Sequence, residues 1–387
     1  MIYLYKTNNM QPKKILIVSS AFYPENSPRS FRATELVKEL CRQNHDVTLY
    51  TNKKDIFHVP LEIEFGVKIR DLGSRKLVPI NVASGSKPLV LCKRVINRIL
   101  LQTVLYPDIE LMFMVKKALK KEQETYDLLI SIAVPHPIHW GTAWARTKKH
   151  PIAKIWVADC GDPFMGAIHD SFKKVFYFKY LEQWFCRKAD YIAVPKIMMK
   201  ENYYPEFQHK VIEISQGFKF DEVVRSHTQK NDLPTFGFAG TFIRTTRNPT
   251  QLLEYLATVK APFKFIIYTQ NQDIVAPFKA ILKDRLEIRG YIPRIDLLKE
   301  LSSMNFLVNI AYDPVHQAPS KLIDYYLTGR PILSSVGNEF NTNDVAAFLK
   351  GDYSSAFVFE NIKKYKIENV TKKFLNVIDT KELTQVK

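Results

Sequence analysis

The sequence lacks most of the features that place a protein quickly. No stretch of its 387 residues approaches the roughly 20 apolar residues that a membrane-spanning helix needs. Its four cysteines, Cys41, Cys92, Cys160 and Cys186, are scattered, with no CxxC and no nearby Cys/His pair. That pattern argues against a disulfide frame or a zinc site, and leads us to expect reduced thiols in a cytoplasmic protein. Neither GxGxxG nor GxxxxGK[ST] occurs, so the fingerprints of dinucleotide-binding dehydrogenases and P-loop NTPases are missing. The serine elbow GxSxG is absent too. There is no internal repeat and no low-complexity tract. The first residues, MIYLYKTNNMQPKK, lack the order of a signal peptide and read as a frayed end, or as an upstream start ahead of Met10.

Acidic residues are also in short supply: 39 against 56 lysines and arginines, a formal net charge of +17. Three kinds of partner suit such an excess: nucleic acid, anionic lipid headgroups, and anionic small molecules such as nucleotide phosphates. The basic residues are dispersed and no nucleic-acid-binding motif is found, so no nucleic acid is expected as a partner. Between Lys87 and Lys121, the cations Lys93, Arg94, Arg98, Lys116, Lys117, Lys120 and Lys121 alternate with Leu, Ile, Val, Phe and Met. Such a segment suits an anionic membrane surface, or else a surface helix with a solvated basic face.

Short apolar runs recur, each followed by a helical pattern. KKILIVSS (13–20) is continuous and β-branched, as in a strand covered on both faces. Ala33, Leu36, Val37 and Leu40 then form one helix stripe. Further strands are expected at 46–51, 67–72, 127–133, 153–159, 190–195 and 210–215. After a polar stretch between Gly217 and Pro234, the alternation resumes at 235–240, 263–268, 285–290, 305–310 and 331–335, with YSSAFVF (353–359) as one more strand. Helices are expected from about Pro249, near 274–283, and over 294–303 and 320–328. Strands alternating with helices imply an α/β protein with two Rossmann-like, doubly wound domains facing across a cleft. The expected domains are 1–220 and 234–387, with the last helix packing back on the first.

The richest segment is APSKLIDYYLTGRPIL (318–333). A strand ends near Ile310, and Pro319-Ser320 opens a helix with Ser320 as candidate N-cap. Lys321 and Asp324 lie three apart on one helix face. Two readings stand side by side. One is a capped helix with an exposed Lys/Asp pair. In the other, the helix N-terminus and Lys321 face a diphosphate while Asp324 accepts hydrogen bonds from ribose hydroxyls.

This segment resembles the nucleotide-binding signature of retaining GT-B glycosyltransferases of the family 4 type, an acid followed by x4-G-[RK]-P-[IV]. Asp324 precedes Gly329 by five and takes the ribose-acid position, with Asp for the usual Glu. The family's earlier acid falls on His316, a departure from the pattern. Pro319-Ser320-Lys321 is similar to the helix entry of a subgroup making bacterial surface polysaccharides. FGFAGTFIRTTRNPTQLLEYL resembles the first strand and loop of the family's C-terminal domain, and the resemblance implies donor-phosphate contacts from Gly240, Arg244 and Arg247. RGYIPRIDLL resembles the stretch where Gly290, Tyr291 and Ile292 meet the base. In the first half, SSAFYPENSPRSFRATELVKEL is similar to the opening loop, with Asn26-Ser27 where many members have Gly-Gly; Arg29 and Arg32 follow as acceptor-side cations. His136 and His139 lie past the end of a strand, where the family often has a histidine near the sugar, and Asp162 follows another strand end as a candidate to orient an acceptor hydroxyl.

The resemblance implies transfer of a sugar from a nucleotide diphosphate sugar to an acceptor hydroxyl, with retention of anomeric configuration. No Asp-x-Asp occurs, so a metal-bridged diphosphate site is not expected; basic side chains and a helix dipole take the cation's place, with no cofactor. A lipid-linked acceptor at the inner face of the cell membrane fits the basic segment. Two other readings remain: a sugar-nucleotide epimerase, or a non-catalytic relative that partners a true transferase.

Overall fold

The structure is a computed structural model and describes residues 11–161, 163–166, 174–221, 231–311 and 320–385. The candidates Asp162 and His316 lie outside the described residues. The chain forms two compact units, Met1–Phe218 with Lys366–Lys387, and Lys219–Tyr365.

The first unit opens with β1 (Lys14–Val18), α1 (Pro28–Arg42), β2 (Asp46–Thr51), α2 (Asp55–Phe65) and β3 (Lys68–Asp71). It continues through α3 (Lys87–Val104), α4 (Glu110–Lys120), β4 (Tyr126–Ile132), α5 (Pro137–Ala145), β5 (Ala153–Asp159), α6 (Phe178–Lys188), β6 (Tyr191–Val194) and β7 (Val211–Glu213). Its sheet is seven-stranded and parallel, in the order β3-β2-β1-β4-β5-β6-β7. The uninterrupted apolar run of β1 has its cause here. Leu16 and Val18 enter the core on one face of the sheet, Ile15 and Ile17 that on the other, so neither set of alternate residues meets water. The stripe Ala33, Leu36, Val37 and Leu40 of α1 is fully buried.

The second unit comprises β8 (Thr235–Ala239), α7 (Thr250–Thr258), β9 (Lys264–Tyr268), α8 (Phe278–Leu282), β10 (Leu286–Arg289), α9 (Arg294–Ser302), β11 (Phe306–Ala311), α10 (Ser320–Thr328), β12 (Ile332–Val336) and α11 (Thr342–Leu349). Its sheet is parallel, in the order β10-β9-β8-β11-β12. Phe236 stacks on Phe265 and Phe306 at 4.6 and 4.5 Å between centroids and anchors one face. Both units are therefore Rossmann-like and doubly wound.

The last helix, α12 (Ile367–Gln385), belongs to the first unit. Its Val370, Phe374 and Ile378 share a core with α1, and Gln43 Nε2 donates to Thr371 Oγ1 at 3.0 Å.

Two expectations need correction. Residues 353–359 form no strand: Phe357 N–H donates to Ile332 O at 2.9 Å, but no ladder follows, and Val358 is exposed. The helix expected near 274–283 shrinks to the five residues of α8. The basic segment 87–121 splits in two. Among the described side chains, α4 buries Leu111, Met114, Val115 and Leu119, whereas α3 buries none of its 18 residues.

Candidate functional site

In each sheet the strand order reverses once, at β1/β4 and at β8/β11, and open α/β sheets bind ligands beyond the carboxyl ends of the strands at such points. In the second unit the opening is visible in the pairing. β8 and β11 pair only through Phe236↔Phe306 and Gly237↔Leu307. Beyond that the strands part, and the Ala239 N–H donates to the hydroxyl of Tyr325, from α10, at 2.8 Å. Tyr325 is fully buried and fixes the helix against the end of β8.

One turn before Tyr325, Lys321 turns into the same opening. Its Nζ is buried and has no hydrogen-bond acceptor among the described residues. It stands over the Phe238 ring, 3.5 Å from the centroid. Gly240, at the exit of β8, has φ +139, and a Cβ there would lie 2.9 Å from Lys321 Cε and 3.0 Å from Nζ. Glycine serves twice: it tolerates this backbone conformation and leaves room for the lysine. Arg247 is held by a hairpin with Ile243 and donates through Nε to Ile310 O, at the end of β11, at 3.2 Å. Burial, reinforced by Arg247, pushes the Lys321 ammonium well below the usual lysine range. Burial lowers the Arg247 guanidinium as well. Two desolvated cations at a strand-end opening, beside the start of a nine-residue helix, form an arrangement that an anion would stabilise.

Asp324 lies one turn further along α10, where Arg294, the first residue of α9, donates to its Oδ1 from Nε at 3.0 Å and from Nη2 at 2.6 Å. Burial raises the carboxyl and Arg294 opposes the rise; the side chain keeps 27% of its exposure, so water moderates both effects.

The other second-unit candidates are dispersed. Arg244 is exposed and pairs with Asp273 at 2.6 Å. Gly290 and Tyr291 are exposed, while Ile292 packs against the core that includes Tyr325. Ser320 opens α10 as its first residue.

In the first unit, Ser27 is the N-cap of α1 and accepts from Ser30 N–H at 3.2 Å; Asn26 before it is exposed. Arg32 is buried in the fold. It pairs with Asp159 through two nitrogens, Nη2 to Oδ1 at 2.7 Å, and donates to the carbonyls of Ser215 (2.7 Å) and Ile214 (3.1 Å). Arg32 therefore ties α1 to the ends of β5 and β7, which commits to the fold a guanidinium expected to face an acceptor. Arg29 is half-buried and reaches across Gly161, where a Cβ would fall 1.5 Å from Nη2.

His139 is fully buried. Trp156 Nε1–H donates to Ser131 Oγ at 2.8 Å, and the same oxygen lies 2.8 Å from His139 Nδ1. Its Nε2 faces Cys160 Sγ at 3.4 Å, so both ring nitrogens are engaged inside the core. Burial, with His136 and Arg29 adding to it, holds this imidazole neutral, well below the usual histidine range. That environment makes His139 a core histidine. His136, at the start of α5, is 6% exposed and packs on Phe164 at 4.9 Å between centroids.

Reading the sequence alone overlooked Arg294, Phe238, Tyr325 and Gly161. Only Arg294 carried a signal, a basic residue at a helix start within a stretch already singled out.

The sequence matches no family model and resembles no curated protein. Solved structures do share the fold. A glycosyltransferase from Rickettsia africae superposes with a TM-score of 0.58 at 12% identity, covering 96% of this chain and 99% of its own. TarM does so with a TM-score of 0.59 at 13% identity, covering 95% and 99%. The lipopolysaccharide outer core galactosyltransferase WaaB, in its apo form, gives 0.55 at 13%, covering 95% and 99%. A mutant of S. aureus TarM, similar to this chain at a TM-score of 0.55 and 12% identity, is in complex with fondaparinux, alpha-GlcNAc-glycerol and UDP. At these identities the likeness defines the fold: this chain has the two-domain GT-B architecture of glycosyltransferases.

Proposed function

We propose that this protein is a glycosyltransferase of the retaining, family 4-like type, moving a sugar from a nucleotide diphosphate sugar to an acceptor hydroxyl in bacterial polysaccharide or glycolipid assembly. The observation that carries the reading is the Lys321 ammonium, buried without an acceptor among the described residues, with Arg247 beside it, where β8 and β11 part. Such a site gains most from a ligand bringing two linked phosphoryl groups. The glycosyltransferase fold, and the UDP held by the S. aureus TarM mutant, support a nucleotide as the carrier of those groups.

In the proposed reaction the bond between the anomeric carbon and the phosphate oxygen breaks, and its electron pair leaves on the diphosphate. Lys321, Arg247 and the N-terminus of α10 stabilise that charge without a divalent ion. The acceptor oxygen bonds to the anomeric carbon on the same face, and its proton passes to the departing phosphate. Asp324 receives the ribose hydroxyls, with Arg294 orienting its carboxylate. His136 and Arg29, past the first sheet's strand ends, are the acceptor-side candidates. The acceptor is a lipid-linked saccharide at the inner face of the cell membrane, with the protein peripheral to it; among the described residues no helix is long and apolar enough to cross a membrane.

The test is thermal-shift screening against nucleoside diphosphates and their sugars, followed by donor-hydrolysis assays with the best binder. A bound ligand raises Tm by mass action, by about 2.7 kcal/mol of stabilisation at a hundredfold excess over Kd. If no nucleoside diphosphate shifts Tm, the reading fails.

A further inference from the structure

α3 has eighteen residues and buries none of them, although they include Leu89, Leu91, Val95, Ile96 and Ile99. Those five are 48–63% exposed. At 100° per residue, Leu91, Cys92, Val95, Ile96 and Ile99 fall on one outward stripe, while the half-buried Val90, Asn97 and Leu101 fall on the opposite side, towards the rest of the unit. Arg94 and Arg98 flank the stripe along one edge, with Lys87 at the helix start. From Gly73 to Pro107 the chain has six basic residues (Arg75, Lys76, Lys87, Lys93, Arg94, Arg98) and no acidic one. At the far end of the helix the Tyr177 hydroxyl donates to Thr103 O, so the exposed Phe176 and Tyr180 belong to the same region.

We infer that the outward face of α3 docks this protein on an anionic lipid bilayer, with the helix lying in the plane of the headgroups. An apolar stripe with basic flanks and aromatic neighbours has the chemistry of an interfacial helix. Aliphatic side chains enter the boundary of the acyl chains while Arg94, Arg98 and Lys87 stay among the phosphates. A second copy of the chain would set like charge against like charge. Nucleic acid would leave the aliphatic centre of the stripe with nothing to touch. The inference deepens the lipid-acceptor part of the proposed function, but the vesicle and nucleotide measurements succeed or fail separately.

The experiment is flotation of the full chain with phosphatidylcholine vesicles, with and without phosphatidylglycerol, over a range of salt. Wild type floats with the anionic vesicles, and less so as salt rises. Ile96→Glu/Ile99→Glu and Arg94→Glu/Arg98→Glu change only side chains outside the core, and each pair weakens binding by about tenfold or more. A polarity-sensitive dye on the exposed Cys92 shifts to the blue on anionic vesicles, which gives a second readout should a variant fold poorly. Three outcomes overturn the inference. One is absence of wild type from the floated fraction. Another is loss of binding in the arginine pair alone, which marks charge adsorption without insertion. The third is a concentration-dependent dimer that the isoleucine pair abolishes, which assigns the face to a second copy.

Discussion

Gly240 and Lys321 share one small volume: a β-carbon on the glycine would stand 3.0 Å from the ammonium nitrogen. The glycine at the exit of β8 lets a helix that begins 80 residues later bring a cation into the opening between strands. Gly240→Ala should strain a backbone at φ +139 and displace the lysine. We expect nucleoside diphosphate affinity to fall by about tenfold or more, measured by calorimetry, since a good charged hydrogen bond contributes about 1.5–3 kcal/mol.

Lys321→Met removes a buried ammonium that has no acceptor among the described residues and leaves a stem of similar length over Phe238. The ligand-free protein should be as stable as wild type or more so, because no amine is left buried without an acceptor among the described residues. Its Tm should no longer respond to nucleoside diphosphate or to inorganic pyrophosphate. A lower ligand-free Tm with an intact ligand response would assign Lys321 to packing.

Binding should take up a proton. The free lysine is held well below its usual range by burial and Arg247, and a bound diphosphate pulls it back up. In the window between those two values, affinity falls as pH rises. Above pH 7 the ligand's own phosphate is already ionised, so calorimetry there in buffers of different ionisation enthalpy isolates the lysine. Uptake should be positive in wild type and absent in Lys321→Met.

Asp324→Asn should separate the two halves of the ligand. Affinity for a nucleoside diphosphate is expected to drop by about tenfold, while pyrophosphate binds as before, because the carboxylate is assigned to ribose and the ammonium to phosphate. Equal losses for both ligands would show that Asp324 and Arg294 shape the pocket as a unit.

Arg32→Met leaves the Asp159 carboxylate in a fully buried place without its bidentate partner. Removing one member of a buried pair costs about 3–5 kcal/mol. Denaturant unfolding of the variant should show that loss. A stable variant with impaired turnover would return Arg32 to the acceptor side.

The strands were legible because burial on both faces demands continuous apolar residues, as the two cores flanking β1 illustrate. The placement of Lys321 and Asp324 on one helix after a strand was legible because a cation and an acid three apart at a helix start is a local pattern. Residues 353–359 misled because an apolar run records burial and says nothing of pairing. Arg32 and His139 misled for a similar reason. A position past a strand or at a helix start looks the same in sequence whether the side chain faces solvent or a carboxylate 127 residues away.

The amino-acid order alone determined the alternation of strands and helices, the two doubly wound units and the basic stretch without acids, since each follows from periodicity or charge along the chain. Only the tertiary structure decided which cations find an acceptor among the described residues. It consumed Arg32 on Asp159, sent Arg244 out to Asp273 and buried Lys321 beside Gly240. A charge's partners are fixed by distances between elements far apart in sequence, and no local pattern encodes them.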